Sequence, residues 1–189
     1  MTPFLQRLWY FLWKDDSLLS WLVNVALAFV LVKYLIYPSL GLLLSTSFPV
    51  VAVVSGSMEH DVPFEAWWAA NRDLYESLGI SQEDFARYSF SNGFDKGDIM
   101  IIYGLSVESI KKGHVVVYRS SPGYPPIIHR VVDIAHEGDQ RVFTTKGDHN
   151  PVFDKPAITQ DRLLGTAVFR IPYLGWVKIW FTQLITLTL

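Results

Sequence analysis

Ser57 is a candidate nucleophile in this sequence. The run PVVAVVSGSMEH begins at Pro49 and reads as a strand that passes into a small polar turn, in which Ser57 lies. A serine in such a turn usually serves only as a hydrogen-bonding residue. To act as a nucleophile, it needs a base within hydrogen-bond reach and donors for the oxyanion that forms when it attacks a carbonyl group. The role of Ser57 therefore depends on the residues around it.

The chain contains several possible bases, which are His60, His114, His129, His136 and His149. His129 lies in the otherwise apolar run PPIIHRVVD, where a packed histidine with a neighbouring partner is a common structural feature. His149 lies in TTKGDHNPVFD, beside Asp148 and close to Asp154, where an aspartate could equally cap the backbone amides of a loop. Taken singly, none of these residues establishes a catalytic site.

The composition excludes several classes of protein and of active site. The 189 residues suit one domain with its own core, and half of them are hydrophobic. With 16 basic and 18 acidic residues, the chain lacks the positive field that non-specific nucleic-acid binding needs, so we expect no nucleic-acid partner. The absence of cysteine excludes disulfides, a thiolate nucleophile and a cysteine-ligated zinc site.

An apolar run near the N-terminus predicts a membrane anchor. From Ser17 to Ile36 only Asn24 and Lys33 interrupt it, and a helix of about twenty residues crosses a hydrocarbon core of about 30 Å. We therefore predict a transmembrane anchor over residues 17–37, with residues 1–16 in the cytoplasm. The lysine and arginine count favours this orientation only slightly. A cleaved secretory signal and a buried helix of a soluble domain are the alternatives.

A second apolar run closes the chain. Pro172 and Gly175 interrupt its start, so its continuous part reaches only from Trp176 to Leu189, which is too short to span a bilayer. We expect residues 176–189 to associate with the membrane without crossing it.

The region between these two runs predicts a mainly β fold. From Lys96 to Arg170, short runs rich in β-branched residues alternate with Gly, Pro and Asp, a pattern typical of strands joined by tight turns. We expect a β-rich domain over residues 49–177. Residues 61–95 form a helical insertion in it, in which Gly79 would end a first helix and Ser81 would cap a second. The first helix has an apolar stripe made of Phe64, Trp68, Tyr75 and Leu78.

The order of four short blocks gives the chain a family resemblance. SGSM after an apolar anchor is followed by KGDI, then by IHRV on a strand, and then by KGDHN with a later aspartate. In this order the blocks resemble the type I signal peptidases, specifically the archaeal and endoplasmic-reticulum branch. The segment LGTAVFRIPYLGWV also resembles the closing part of that family. The resemblance covers the anchor and most of the stretch from Pro49 to Val177.

The resemblance implies roles for individual residues. The serine of SGSM is the nucleophile of the family, which corresponds to Ser57, and the histidine of this branch corresponds to His129. Two acids of the family match Asp148 and Asp154, either of which could orient the imidazole. We favour Asp154 as the orienting acid and Asp148 as a supporting residue. Ser55 matches the small polar residue that can donate to the oxyanion.

The resemblance also implies an activity and a location. The expected protein is a membrane-bound serine endopeptidase that cuts signal peptides from preproteins after a small-x-small site, through an acyl-enzyme. Its catalytic domain would lie on the extracytoplasmic face of the cell membrane, where preproteins and the lipid bilayer are its partners. This chemistry requires no metal and no organic cofactor.

The sequence departs from the family pattern between its first two blocks. About 35 residues, 61–95, separate SGSM from KGDI, and His60 stands where proline is common. His60 is an alternative base. The insertion, with its aromatics Phe64, Trp67 and Trp68, could lie on the membrane surface or line the substrate groove, or it could be a helical cap packed on the sheet.

Two other functions are compatible with the sequence. One is a non-catalytic, membrane-tethered β-domain that binds partner subunits through the aromatic insertion. The other is a protease of the same kind that processes other membrane-proximal substrates.

Overall fold

The computed structural model describes residues 2–121 and 123–187 of the chain. It divides into two compact units, residues 1–43 and residues 44–189.

The N-terminal unit contains one long apolar helix. Helix α2, Leu18–Leu31, continues through a π-helical turn, Val32–Ile36, into helix α3, Tyr37–Leu43. Together they make 26 residues that include an 18-residue stretch with a mean hydropathy of 2.0, which is enough by length and composition to cross a membrane. The helix extends past the predicted end at residue 37. Pro38 has no amide hydrogen to donate, and the wider turn just before it lets the helix continue.

A short helix, α1 (Pro3–Trp13), precedes this long helix and was not predicted from the sequence. Its last carbonyl groups have no partner within the helix. Asn24 Nδ2 donates to the carbonyl of Leu12 at 2.9 Å, and Ser20 Oγ donates to the carbonyl of Phe11. Two polar residues of the apolar run thus provide hydrogen-bond donors for the last carbonyl groups of α1. This role explains why Asn24 interrupts that run.

The described part of the second unit is built on a seven-stranded antiparallel sheet with the order β1-β2-β7-β3-β4-β5-β6. Its strands are β1 (Val50–Ala52), β2 (Ile99–Tyr103), β3 (Val115–Tyr118), β4 (Ile127–Glu137), β5 (Gln140–Lys146), β6 (Ile158–Thr159) and β7 (Leu163–Ile171). Each β-branched run of the sequence forms one of these strands, because such side chains pack well on a pleated surface. The prediction of a mainly β domain with a signal-peptidase-like architecture is confirmed.

Strand β4 is buried on both faces where the candidate base lies. Val131 packs into one hydrophobic cluster with Val116 and Phe143, whereas Val132 packs into another with Trp67 and Phe85. Successive side chains of a strand point to opposite faces. His129 and Arg130, which precede these valines, are therefore held in two different environments on either side of one rigid strand.

The insertion consists of helices α4 (Phe64–Ser77) and α5 (Gln82–Arg87). Gly79 follows α4 with a φ of 71°, and the Ser81 hydroxyl accepts a hydrogen bond from the amide of Asp84 at 3.1 Å. Both helix boundaries are confirmed. The structure agrees with the helical-cap interpretation, because Trp67 and Trp68 are only 5% and 1% exposed and therefore cannot lie on a membrane surface.

The second unit ends in helix α6, Trp176–Leu187. Trp176 lies against Gly97, where any Cβ would clash with the indole, and Ile179 is buried. The opposite side of the helix is apolar and exposed, with Val177, Trp180, Phe181 and Leu184. Residues 188 and 189 of the predicted C-terminal segment lie outside the described residues.

Phe85 is the centre of the insertion's core and offers a test of this packing. Its fully buried ring contacts the rings of Trp67, Trp68 and Tyr75. We expect Phe85→Ala to lower the free energy of unfolding by about 3–5 kcal/mol, because the cavity cannot collapse between rigid rings. Urea unfolding of the full chain in detergent micelles measures this loss. The exposed Glu65→Ala on α4 is the control, and equal stability of the two variants would contradict the packing.

Candidate active site

Ser57 lies in a turn whose backbone is fixed from both sides. The carbonyl of Ser57 accepts a hydrogen bond from the amide of His149 at 2.9 Å, and the carbonyl of Met58 accepts one from Phe94 at 3.0 Å. The Met58 side chain is fully buried, whereas Ser57 is half-buried. The turn therefore presents a partly accessible hydroxyl on an anchored backbone.

The ring of His129 lies beside that hydroxyl. His129 Nε2 is 3.0 Å from Ser57 Oγ, although 72 residues separate the two along the chain. His129 is held on β4 opposite Val116 of β3, and its side chain is only 7% exposed. A histidine within hydrogen-bond distance of a serine hydroxyl can take up its proton during attack.

Asp154 lies on the other side of the imidazole. Its Oδ2 is 2.6 Å from His129 Nδ1 and accepts a second hydrogen bond from Thr145 Oγ1 at 2.7 Å. The Asp154 amide donates to the carbonyl of Thr145 at 2.8 Å, so side chain and backbone are held together. Burial raises the pKa of the Asp154 carboxyl. His129 lowers this pKa through its hydrogen bond and its charge, and Thr145 lowers it through a second hydrogen bond. The lowering effects outweigh the effect of burial, so the pKa of Asp154 lies below its usual value.

Asp148 has different partners. Its carboxylate forms a fully buried ion pair with Arg130, with Nε–Oδ1 and Nη2–Oδ2 distances of 2.9 and 2.7 Å. His60 Nε2 lies 3.2 Å from Asp148 Oδ2. Burial raises the pKa of Asp148, but the charge of Arg130 and the hydrogen bonds from His60 and Arg130 outweigh it, so this pKa also lies below its usual value. Asp148 is thus an ionised residue beside the catalytic candidates, without an observed bond to His129.

All five donors of the Arg130 guanidinium have acceptors. Besides the two bonds to Asp148, Nη1 donates to the carbonyls of Ser89 and Gly113, and Nη2 donates to the carbonyl of Phe90. The guanidinium carbon also lies 4.7 Å from the centroid of the Phe85 ring. A buried charge is tolerated only when it is paired and hydrogen-bonded to this extent. Arg130 therefore joins β4 to the insertion and to Asp148.

The side chains of the remaining histidines have no observed contact with the Ser57 hydroxyl. The ring of His60 points to Asp148 and stacks on Trp67 with centroids 3.9 Å apart, which argues against its role as an alternative base. His149 is half exposed and lies 3.4 Å from Asp61. His114 is half-buried before β3, and burial lowers its pKa, while His136 is exposed near the end of β4.

Ser55 and a groove complete the site. Ser55 Oγ lies 3.3 Å from Ser57 Oγ on the exposed side of the turn. The groove beside Ser57 and His129 has a volume of about 320 Å³. It is lined by two stretches of chain with mainly apolar side chains, Val51 to Ser55 and Pro125 to Ile128, and by Asn150. Within residues 2–121 and 123–187, no group of three or more His, Asp or Glu side chains could hold a metal ion.

Two residues that matter to the site were not assigned a role from the sequence. Arg130 is given no role in the sequence analysis, although a charge inside an apolar strand indicates a buried partner. Thr145 carries no motif and contacts Asp154 only because the loop after β5 folds back onto that strand.

Comparison with known proteins finds similar chains in fungi. The chain is 34% identical over 159 residues to the signal peptidase complex catalytic subunit sec11 of Schizosaccharomyces pombe, covering 79% of this chain and 76% of the relative. It is 28% identical over 168 residues to the protein of that name in Scheffersomyces stipitis, covering 84% and 81%. The protein of that name in Colletotrichum graminicola is 24% identical over 172 residues, covering 87% and 81%. No protein-family model matches the chain.

The buried pair predicts a large loss of stability when one partner is removed. We expect Arg130→Met to lower the free energy of unfolding by about 3–5 kcal/mol, because it leaves Asp148 buried without a countercharge. Urea unfolding of the full chain in micelles measures the loss. Arg72→Met is the matched control, since Arg72 pairs with Glu76 with both side chains more than half exposed and should lose far less. The double variant R130M/D148N should recover part of the loss, and its failure to do so would contradict the role of the pair.

The lowered pKa of Asp154 predicts a pH-dependent contribution to stability. An aspartate of the unfolded chain has a pKa of about 3.9, and that of folded Asp154 is lower, so its contribution is present above about pH 4 and disappears as the pH falls through the folded pKa. We therefore expect the difference in unfolding free energy between wild type and Asp154→Asn to shrink from about pH 5 towards pH 2. Unfolding by urea at a series of pH values measures it. A difference that stays constant over this range would be evidence against the ionised pair.

Proposed function

The chain belongs to the type I signal peptidases, in the branch of the signal peptidase complex catalytic subunits, and on that premise we propose a mechanism, a substrate and a membrane location for it. As a member of this family it is a serine endopeptidase. We propose that Ser57 is its nucleophile, His129 its general base and Asp154 the acid that orients the base.

The line of contacts from Ser57 through His129 to Asp154 is the observation that carries this proposal. The Ser57 Oγ–His129 Nε2 and His129 Nδ1–Asp154 Oδ2 distances are 3.0 and 2.6 Å. With Asp154 ionised, the tautomer that carries its proton on Nδ1 is favoured, which leaves Nε2 free to accept the Ser57 proton. The Ser57 oxygen then forms a bond to the carbonyl carbon of the scissile peptide, whose oxygen becomes an oxyanion.

The same histidine serves each later step. His129 gives its proton to the departing amine as the carbon–nitrogen bond breaks, which leaves an acyl-enzyme on Ser57. A water molecule then loses a proton to His129 and attacks the ester, and the new carboxyl end leaves as the proton returns to Ser57. Asp154 remains ionised throughout and stabilises the imidazolium, consistent with its lowered pKa.

Ser55 and the amide of Ser57 are the proposed donors to the oxyanion. The 3.3 Å separation of the two hydroxyl oxygens supports this, because it places a donor close to the atom that attacks. A single such donor contributes about 10²–10³ in kcat in other serine proteases.

The groove beside the site supports an extended peptide as substrate. It is lined by two stretches of chain, residues 51–55 and 125–128, and its modest volume of about 320 Å³ favours small side chains near the cut. We propose that the substrates are preproteins cleaved after a small-x-small site at the end of the signal peptide.

Membrane anchoring accounts for the apolar termini. We propose that residues 17–37 lie within a membrane-spanning helix, with residues 1–16 in the cytoplasm and the catalytic domain on the extracytoplasmic face. The long helix of the N-terminal unit and the exposed apolar side of α6 support this assignment. The relatives are named as subunits of a complex, which supports partner subunits for this chain as well.

The alternative functions have weaker support. A non-catalytic domain that binds partners through its aromatic insertion would expose Trp67 and Trp68, and both are buried. A protease for other membrane-proximal proteins would share this site. Profiling the N-termini of exported proteins after depletion of the protein distinguishes it from a general preprotein peptidase.

Preprotein cleavage by purified variants tests the proposed residues. We expect Ser57→Ala and His129→Ala to lower kcat by about 10⁴-fold or more, since each removes a member of the catalytic line. His136→Ala, which changes an exposed histidine on the same strand, is the matched control and should retain wild-type activity. Full activity of either active-site variant would refute the assignment.

The same cleavage assay tests the proposed acid. Asp154→Ala should have a far lower kcat than Thr145→Val, which removes only one of the donors to Asp154.

A further inference from the structure

The two departures of this chain from the family pattern touch one another. His60 stands where proline is common, and the insertion 61–95 follows it directly. In the structure the His60 ring lies flat against the Trp67 indole of α4, with centroids 3.9 Å apart and planes inclined by 9°. On the other end of the insertion, a Cβ on Gly93 would come within 2.7 Å of the His60 ring. His60 is therefore held between both ends of the insertion, and its side chain is only 2% exposed.

The polar edge of the same ring points away from the insertion towards Asp148. His60 Nε2 lies 3.2 Å from Asp148 Oδ2, whereas Nδ1 is buried and has no hydrogen-bond partner among the described residues. The tautomer with the proton on Nε2 gives Asp148 a donor and avoids an unpaired N–H group at Nδ1. His60 thus acts on Asp148 as a fixed donor.

These contacts join the turn that carries Ser57 to the turn that carries Asp148. His60 is three residues after Ser57 and binds the side chain of Asp148, while the next residue, His149, donates its amide to the carbonyl of Ser57 at 2.9 Å. The Asp148 amide also faces the sulfur of Met58 at 3.4 Å. The turn that carries Ser57 is consequently fastened to the 147–150 turn at three points, through residues 57, 58 and 60.

We propose that His60, held in place by Trp67, is a positioning residue that sets the Ser57 hydroxyl against His129, and that this is what the helical insertion contributes to the reaction. The inference rests on the proposed function. His60 does not touch the reacting atoms; it acts through Asp148, which Arg130 ties to the strand of the base. Loss of the His60 donor should loosen the Ser57 turn and leave the groove walls unchanged. The effect is therefore expected in kcat rather than in KM.

Variants at position 60 test the donor. The full chain in micelles is assayed with a peptide that has alanine at both small positions of the cleavage site. His60→Leu should lower kcat about ten- to a hundredfold with KM within about twofold, as a small misplacement of reacting groups does. His60→Gln, whose amide nitrogen can reach the position of Nε2, should restore kcat to within about threefold. His60→Asn, whose amide reaches only the position of Nδ1, should not. If His60→Leu does not fold, the Gln and Asn variants make the same comparison.

Variants of the insertion test whether Trp67 positions His60. Trp67→Leu removes the stack on His60, and Trp68→Leu removes an equally buried indole that has no observed ring contact with His60. Both should lower the melting temperature by similar amounts, but at a temperature where both are folded only Trp67→Leu should lower kcat. The double variant H60L/W67L should be no slower than His60→Leu alone.

The outcomes separate this inference from the proposed function. Wild-type kcat in His60→Leu, equal impairment of the Gln and Asn variants, or an equal loss of kcat in the two tryptophan variants would each overturn the positioning role. Ser57→Ala is assayed beside them. If it cleaves the peptide as fast as the wild type, the proposed function itself is wrong.

Discussion

The buried ion pair between Arg130 and Asp148 is the interaction on which the geometry of the site depends. Two charges removed from water are stable only when they are paired and fully hydrogen-bonded, and every donor of this guanidinium has an acceptor. Arg130 directly follows His129, and Asp148 directly precedes His149, whose amide holds the Ser57 carbonyl. The pair therefore fixes the separation between the proposed base and the proposed nucleophile.

The two aspartates near the site have different partners, although only six residues separate them in the sequence. Asp154 lies at the imidazole and retains partial exposure, whereas Asp148 is fully buried and binds Arg130 and His60. In the proposed mechanism the first governs the tautomer of the base and the second governs the position of the nucleophile. Both carboxyls have lowered pKa values, because each has a cationic or donating partner that outweighs its burial.

The sequence predicts well what local patterns determine. Short β-branched runs became strands, and Ser81 caps α5 because its hydroxyl can reach the amide of Asp84. The order of the blocks was enough to select Ser57 and His129 as candidates. Local patterns could not reveal α1, since the last carbonyl groups of this helix accept hydrogen bonds from polar side chains of the next helix. They also could not reveal the partners of Arg130 or His60, which depend on chain segments up to 88 residues away. The burial of Trp67 and Trp68 follows from the same long-range packing.

The protonated nitrogen of His129 is the property that tests the central claim most directly. In the full chain with ¹⁵N-labelled histidine, at a pH well above the usual imidazole pKa of about 6.5, nitrogen chemical shifts distinguish the two neutral tautomers. Assignment by loss of the signal in His129→Gln identifies the ring. We predict a proton on Nδ1, facing Asp154, and an unprotonated Nε2 that accepts from Ser57. A proton on Nε2 would contradict the claim, because the lone pair of the ring would then lie on Nδ1, facing Asp154, and could not receive the proton of Ser57.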